Sequence, residues 1–330
     1  MACNLRCRHC GSSAGSPRVG ELTTDEALKI CDQFPDLLVR EVDFTGGEPL
    51  LRKDWPVIAQ HLKNMGININ ILTNGLHLQE EMVSTMKKVG ISTVGLSLDG
   101  LEETHDMIRG LKGSFKSVLE SIKKIQKAGM SVNVITTVNS INVEELPAIM
   151  NILKLLGVKF WRLQPIIPIG RVLSSDKLLI DNESILSLGH FIQKWSLPSE
   201  EDGMRIICAD GLEYVLDNKM EKPWRGCSAG IVTCGITSDG RVKGCLSLPD
   251  NLVEGNLRER SLWDIWFDPN SFKYTRHYFK KQLGLNCSSC DKAKQCKGGC
   301  SANSYSATAT FHNDPYCFHK ISNLCNSHHV

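Results

Sequence analysis

Cys3-Asn4-Leu5-Arg6-Cys7-Arg8-His9-Cys10 places three thiols within eight residues, in a C-x3-C-x2-C spacing. Three thiolates on one short loop can grip an iron-sulfur cube and leave its fourth iron open to another molecule. A structural zinc site asks instead for four ligands in paired C-x2-C spacing. A disulfide framework asks for an oxidising compartment and usually a small domain. Here no hydrophobic signal segment precedes Cys3, and 14 cysteines are spread over 330 residues. The spacing therefore points to an iron-sulfur centre on Cys3, Cys7 and Cys10, in a reducing and hence cytoplasmic setting.

Composition sets the scale around that loop. With 42% hydrophobic residues the chain can build one large core and a smaller one. The formal charge of +2 and the lack of a Lys/Arg block with interleaved aromatics argue against nucleic acid as a partner. No run approaches the roughly 20 apolar residues of a membrane span, so no membrane is expected.

Downstream, short β-branched runs alternate with amphipathic helical patterns, the mark of a parallel sheet covered by helices. Thr23 and Glu26 form a capping box for a helix over Thr23–Phe34, with Ala27, Leu28, Cys31 and Phe34 on one face. Strands are expected at Glu41–Thr45, Ile67–Thr73, Thr93–Leu98, Ser131–Val138 and Lys159–Pro165, with helices such as Val118–Lys127 and Glu144–Leu156 between them. Five strands in βα order suggest a whole or partial barrel.

Each of the first three strands ends in residues suited to a ligand: Gly46-Gly47-Glu48-Pro49, then Asn74-Gly75, then Ser97-Leu98-Asp99-Gly100. Barrels of this type carry their functional groups at the carboxyl ends of the strands. Glycines there let backbone approach a ligand closely, and Ser97 and Asp99 can hydrogen-bond hydroxyls. Taken singly, Asn-Gly and Asp-Gly are ordinary turn dipeptides; their alignment behind the cysteine triplet is what argues for a site.

The cysteine loop followed by Gly46-Gly47-Glu48-Pro49 resembles the radical S-adenosylmethionine (SAM) enzymes, from Cys3 to about Arg171. That resemblance implies a partial (β/α)6 TIM-like barrel and a 4Fe-4S cluster on Cys3, Cys7 and Cys10. The unique iron would chelate the amino and carboxylate groups of S-adenosylmethionine. An electron would then break the sulfonium C–S bond, and a 5'-deoxyadenosyl radical would abstract a hydrogen atom from substrate. It implies that Gly46, Gly47, Glu48 and Pro49 lie along the methionine moiety, that Asn74 shares their rim, and that Ser97 and Asp99 meet the ribose. His9 would offer a ring near adenine, and Arg109 and Gln164 would reach the same cavity. The family also implies an electron donor such as flavodoxin or ferredoxin, and a first barrel strand before the cysteine loop. Only Met1 and Ala2 precede Cys3, so the true start is expected upstream; a missing strand would leave an unpaired parallel edge beside the cluster.

After Arg171 the rhythm fades into a helix-like bridge over Asp181–Trp195 and a loop-like stretch over Pro198–Gly203. Then come Cys227, Cys234 and Cys245, with a hairpin turn at Ser238-Asp239-Gly240, followed by Cys287, Cys290, Cys296 and Cys300 in C-x2-C-x5-C-x3-C spacing and finally Cys317. Eight thiols suffice for two four-ligand iron-sulfur clusters or for two zinc sites. The spacing resembles the SPASM extension of radical SAM enzymes, over about Trp224–Phe318. By that resemblance Cys227, Cys234, Cys245 and Cys300 hold one auxiliary cluster and Cys287, Cys290, Cys296 and Cys317 another, giving three 4Fe-4S clusters in all. The expected divisions are a barrel over 1–180, a bridge over 181–223 and a cysteine-rich iron-sulfur domain over 224–330.

Three cysteines remain. Cys31 belongs to a helix face and Cys325 to a polar tail. Cys208, in Ile206-Ile207-Cys208-Ala209-Asp210, could return a hydrogen atom to a substrate radical, although a buried inert thiol is the commoner outcome. Asp210 could act as a base once the radical forms.

Most SPASM-bearing relatives modify peptides, so the resemblance implies a maturase that cross-links, oxidises or epimerises a ribosomally made peptide. Sulfatase maturation fits less well, because those enzymes carry an acidic residue where this chain has Leu246. The alternatives are a carbohydrate or aminoglycoside epimerase or dehydrogenase and, from another class, a non-catalytic iron-sulfur or zinc protein. The last would have no reason to keep a three-cysteine loop in front of the Gly-Gly-Glu-Pro run.

Overall fold

A computed structural model describes residues 1–174, 176–215 and 224–327. Its first part alternates helices and strands: α1 (Thr24–Cys31), β1 (Glu41–Phe44), α2 (Trp55–Asn64), β2 (Asn68–Thr73), α3 (Glu80–Lys88), β3 (Ile91–Ser97), α4 (Glu102–Arg109), α5 (Ser114–Lys127), β4 (Ser131–Val138), α6 (Leu146–Leu155), β5 (Phe160–Pro165), α7 (Asn182–Glu201) and β6 (Arg205–Cys208). The six strands pair in sequence order, every pair parallel. This is a partial (β/α) barrel. Helix α1 starts where its capping box predicts, the Glu26 amide donating to Thr23 Oγ1 at 3.2 Å and the Thr23 amide to Glu26 Oε2 at 2.8 Å.

The register sorts the strand residues onto two faces. One row runs Thr73, Leu96, Val134, Trp161, Ile206 and the next runs Thr136, Leu163, Cys208. All are buried, the apolar ones in one core with Leu62 of α2, Ile122 of α5, Leu153 of α6 and Leu188 of α7. The opposite face carries the row Ser97, Ile135, Arg162, Ile207, with Thr137 and Gln164 paired nearer the carboxyl ends. Its polar members are only partly buried. Period-two alternation thus gives a dry side toward the helices and a polar concave side toward the barrel interior.

Two features depart from the expectations. The sixth strand is β6, inside the stretch expected to be a bridge, so the barrel sheet continues past residue 180. Helix α7 also runs on to Glu201, through position 198, where a loop was expected. Residues 216–223, which include the expected boundary before Trp224, lie outside the described residues, and so does the side chain of Cys325.

The remainder holds short pieces only: β7 (Gly235–Ile236), β8 (Arg241–Lys243) and β9 (Gly255–Asn256) in a small antiparallel sheet, then α8 (Leu262–Phe267), α9 (Lys273–Arg276), α10 (Ala293–Cys296), α11 (Ser301–Thr308) and α12 (Phe318–Ser327). Helix α12 packs on α7, where a Cβ added at Gly189 would fall 2.1 Å from the Phe318 ring. The Leu22 amide donates to Ser238 O at 2.7 Å, joining this region to the start of the barrel. No described helix is long and apolar enough to cross a membrane.

Candidate functional site

The cysteine loop lies across the carboxyl ends of β1 to β5 and is pinned from several sides. Ala2 O accepts from the Glu48 amide at 2.8 Å, an approach so close that a Cβ at Gly47 would lie 2.1 Å from that oxygen. Asn74, at the end of β2, donates through Nδ2 to Asn4 Oδ1 at 2.7 Å. The Arg8 amide donates to Ile108 O, near the end of α4, at 2.8 Å. Arg171, beyond β5, donates to Cys7 O and to Ala14 O, both at 2.8 Å. Segments following β1, β2 and β5 and the end of α4 therefore converge on one loop.

Glu48 is buried and serves that convergence with its side chain. Its Oε1 accepts from Thr73 Oγ1 at 2.8 Å and its Oε2 from the Asn74 amide at 2.9 Å. Burial pushes its pKa up, against the pull of those hydrogen bonds. Pro49 opens a single 3-10 turn behind it. Gly46 has φ 131° and faces open space, so a ligand can approach its backbone.

Beneath the loop sits a buried charged cluster. Arg109 Nη2 is ion-paired to Asp99 Oδ2 at 2.5 Å, and Arg109 Nη1 donates to Cys7 Sγ at 3.8 Å. Asp99 is fully buried; its Oδ1 accepts from the Thr137 amide at 2.9 Å, and His9 Nε2 stands 3.5 Å from Oδ2. Burial alone would raise the Asp99 pKa, but Arg109, His9 and His105 outweigh it and hold the carboxyl below its usual range. Burial lowers His9 to about 4, so the ring is neutral near pH 7. The Cys7 thiol is pushed up by burial, with Arg109 opposing.

Asp99 is fully buried, with Arg109 at Oδ2 and the Thr137 amide at Oδ1, whereas Ser97 is partly open on the concave face. His9 turns inward to Asp99 and offers no exposed stacking ring. Gln164 does face the concave side, donating to Thr137 Oγ1 at 3.3 Å.

A thiol trio with a buried guanidinium at one sulfur suits an iron-sulfur cluster, since thiolates are its ligands and a nearby cation offsets its charge. The buried Arg109 Nε and His9 Nδ1 have no hydrogen-bond partner, and with open space at Gly46 they fit a polar cofactor lying against the loop.

The C-terminal thiols fall into two groups. Cys287, Cys290, Cys296 and Cys317 line one cavity together with Tyr214 and Asp314. Cys245 and Cys300 share a small apolar cluster with Leu248 and Ala302. Burial pushes both thiols up, and both also feel Asp210 and Cys227. Cys234 lies at the edge of the main core and feels Arg276. Lys297, Gly298 and Gly299 are all left-handed and turn the chain between Cys296 and Cys300; a Cβ at Gly298 would lie 2.4 Å from the His312 backbone. Gly226, just before Cys227, abuts the Cys296 carbonyl, which ties the two groups together.

Cys208 is buried in the helix-facing row beside Leu163, opposite the face that carries Ser97 and Arg162, and burial pushes its thiol up to about 12. A hydrogen-atom donor needs access to substrate, which this position denies. Two residues on, Asp210 leaves the strand with φ 56° and lies near both Arg162 and the Cys245–Cys300 group. Sequence reasoning missed Arg162, Arg171 and Glu213; burial raises the last to about 7, with Asp210 adding to the rise.

The Radical SAM superfamily model matches residues 1–153 and that of the iron-sulfur cluster-binding domain called SPASM matches residues 227–291. The AdoMet-dependent heme synthase of Methanosarcina barkeri is 32% identical, over 96% of this chain and 94% of that protein. The PqqA peptide cyclase of Granulibacter bethesdensis is 27% identical, over 99% and 86%. Among solved structures, native anSMEcpe with bound AdoMet and Kp18Cys peptide superposes with a TM-score of 0.75 at 18% identity, covering 99% of this chain and 96% of that one.

Proposed function

This chain belongs to the radical SAM superfamily and carries a SPASM iron-sulfur domain, and from that premise we propose that it is a maturase that takes a hydrogen atom from a peptide. Cys3, Cys7 and Cys10 would hold the 4Fe-4S cluster that meets S-adenosylmethionine. Cys287, Cys290, Cys296 and Cys317 would hold one auxiliary cluster, and Cys227, Cys245 and Cys300, with Cys234, the other. When bound, the first cluster and S-adenosylmethionine supply reductive cleavage of the sulfonium C–S bond and the radical that takes the hydrogen atom.

This chain's residues bind and aim. The observation that carries the reading is the polar concave row beneath the cysteine loop, where Ser97, Arg162 and Gln164 are partly open. Side-chain amides and hydroxyls in such a row can hydrogen-bond the amides of an extended peptide. Asp210 is the residue suited to take the proton that a substrate radical sheds on oxidation. Its burial makes it a stronger base than an exposed carboxylate, and its neighbours Cys245 and Cys300 belong to the group that would receive the electron.

The peptide class is supported by the likeness to PqqA peptide cyclase. A second reading, a reaction that yields heme, is favoured by the higher identity to heme synthase and by Arg162, a cation on the concave face suited to a carboxylate. To test the two, the anaerobically reconstituted protein is given S-adenosylmethionine, dithionite and either a deuterated candidate precursor peptide or an iron porphyrin. Deuterium passing from the peptide into 5'-deoxyadenosine is expected. Heme formation with no transfer from the peptide would overturn the peptide reading.

A further inference from the structure

Arg109 occupies a position that binding of S-adenosylmethionine alone does not explain. It ends α4, and that helix end is bolted to the cysteine loop: the Arg8 amide bonds Ile108 O, and left-handed Gly110 passes so close under Arg6 that a Cβ there would lie 3.1 Å from the Arg6 carbonyl. Nη2 is held by Asp99, and Asp99 is itself fixed by the Thr137 amide on β4 and by its own amide donating to His105 Nδ1 at 3.0 Å. This leaves Nη1 aimed at Cys7 Sγ. The guanidinium is buried, with a side-chain exposure of 10%, and cannot deprotonate in a protein.

We propose that Arg109 is a positioning residue that sets the reduction potential of the cluster on Cys3, Cys7 and Cys10, by donating to the Cys7 thiolate with Asp99 as the counter-ion that aims it. The proposal rests on the reading that these thiols hold an iron-sulfur cluster. Reduction adds negative charge to a cluster, and a buried cation hydrogen-bonded to a ligating sulfur stabilises the reduced form. Water screens such a charge poorly at this depth. Arg171 is the internal control, because it grips the same cysteine through the backbone carbonyl and leaves the sulfur alone.

The test is a redox titration of the reconstituted full-length protein, followed by the EPR signal that changes when S-adenosylmethionine is added. Arg109→Gln is expected to lower the ratio of reduced to oxidised cluster at a fixed potential by tenfold, a downward shift of about 59 mV for one electron. Arg109→Lys should shift it the same way by less, and Arg171→Lys should leave it unchanged. An unchanged midpoint in Arg109→Gln at full iron and sulfide content overturns the proposal. If that variant fails to load iron, an unchanged midpoint in Arg109→Lys overturns it. No S-adenosylmethionine-responsive signal in the unaltered protein would sink the proposed function itself, a result separate from either.

Discussion

Around Cys7 the polypeptide supplies the rigidity. The loop is gripped by Arg109, Arg171, Asn74 and the Glu48 amide, each projecting from or just beyond a strand or helix of the barrel. Around Cys287, Cys290, Cys296 and Cys317 the opposite holds: the nearest regular elements are α10, of four residues, and α12, and the turn between Cys296 and Cys300 is a run of left-handed residues. A thiol site that must present an open position to a cofactor needs a frame that exists before the metal arrives. A fully ligated site can let the metal be the frame, because binding free energy becomes folding free energy there.

Cys7→Ala probes the first half of that contrast with the largest effect. It should remove the iron of one cluster, about a third of the total when the three proposed 4Fe-4S clusters are loaded, together with the whole S-adenosylmethionine-responsive EPR signal. The circular dichroism spectrum should not change. Loss of the barrel signal would mean that the loop depends on its metal after all. Cys287→Ala with Cys296→Ala probes the second half. Limited proteolysis should then cut within 224–327 and spare 1–174, and cleavage spread evenly over the chain would erase the distinction.

The barrel's independence has a smaller-scale test in Trp161. It is fully buried in the row between Val134 and Ile206 and donates from Nε1 to Thr136 Oγ1 at 2.9 Å. Trp161→Ala should cost about 3–5 kcal/mol of barrel stability by denaturant titration and leave the auxiliary iron in place. Smallest is a pH effect where the two regions meet. Glu213 is raised from 4.5 to about 7 by burial and by Asp210, so the folded state binds the extra proton. Its contribution is present below about 4.5 and lost as pH rises toward 7. Glu213→Gln should flatten the fall in stability over that window, an effect of at most about 3 kcal/mol; parallel stability curves for the two proteins would contradict it.

The barrel was legible because its signals are local. Strand ends at Gly46, Asn74 and Ser97 announce themselves through turn residues, and the α1 capping box is written in Thr23 and Glu26. Strand β6 was not, since four residues after a helix that runs through position 198 carry little periodicity. The two cysteine-rich stretches stand out by their spacing, while the sorting of the later thiols into two sets came from the SPASM resemblance. The directions of individual side chains could not be read in this way: no local pattern puts Arg109 of α4 beside Asp99, and only the register decides that Cys208 is the buried thiol beside Leu163. Such outcomes depend on contacts between distant segments, which a local pattern does not encode.

Whether the amino-terminal trio of thiols activates S-adenosylmethionine decides the proposed function. Unaltered protein and the Cys3→Ala/Cys7→Ala/Cys10→Ala variant, both reconstituted without oxygen and given S-adenosylmethionine and dithionite, can be compared for 5'-deoxyadenosine by mass spectrometry. The nucleoside is expected from the unaltered protein and none from the variant. Equal amounts from both, or none from an unaltered protein that carries its full iron, would contradict it.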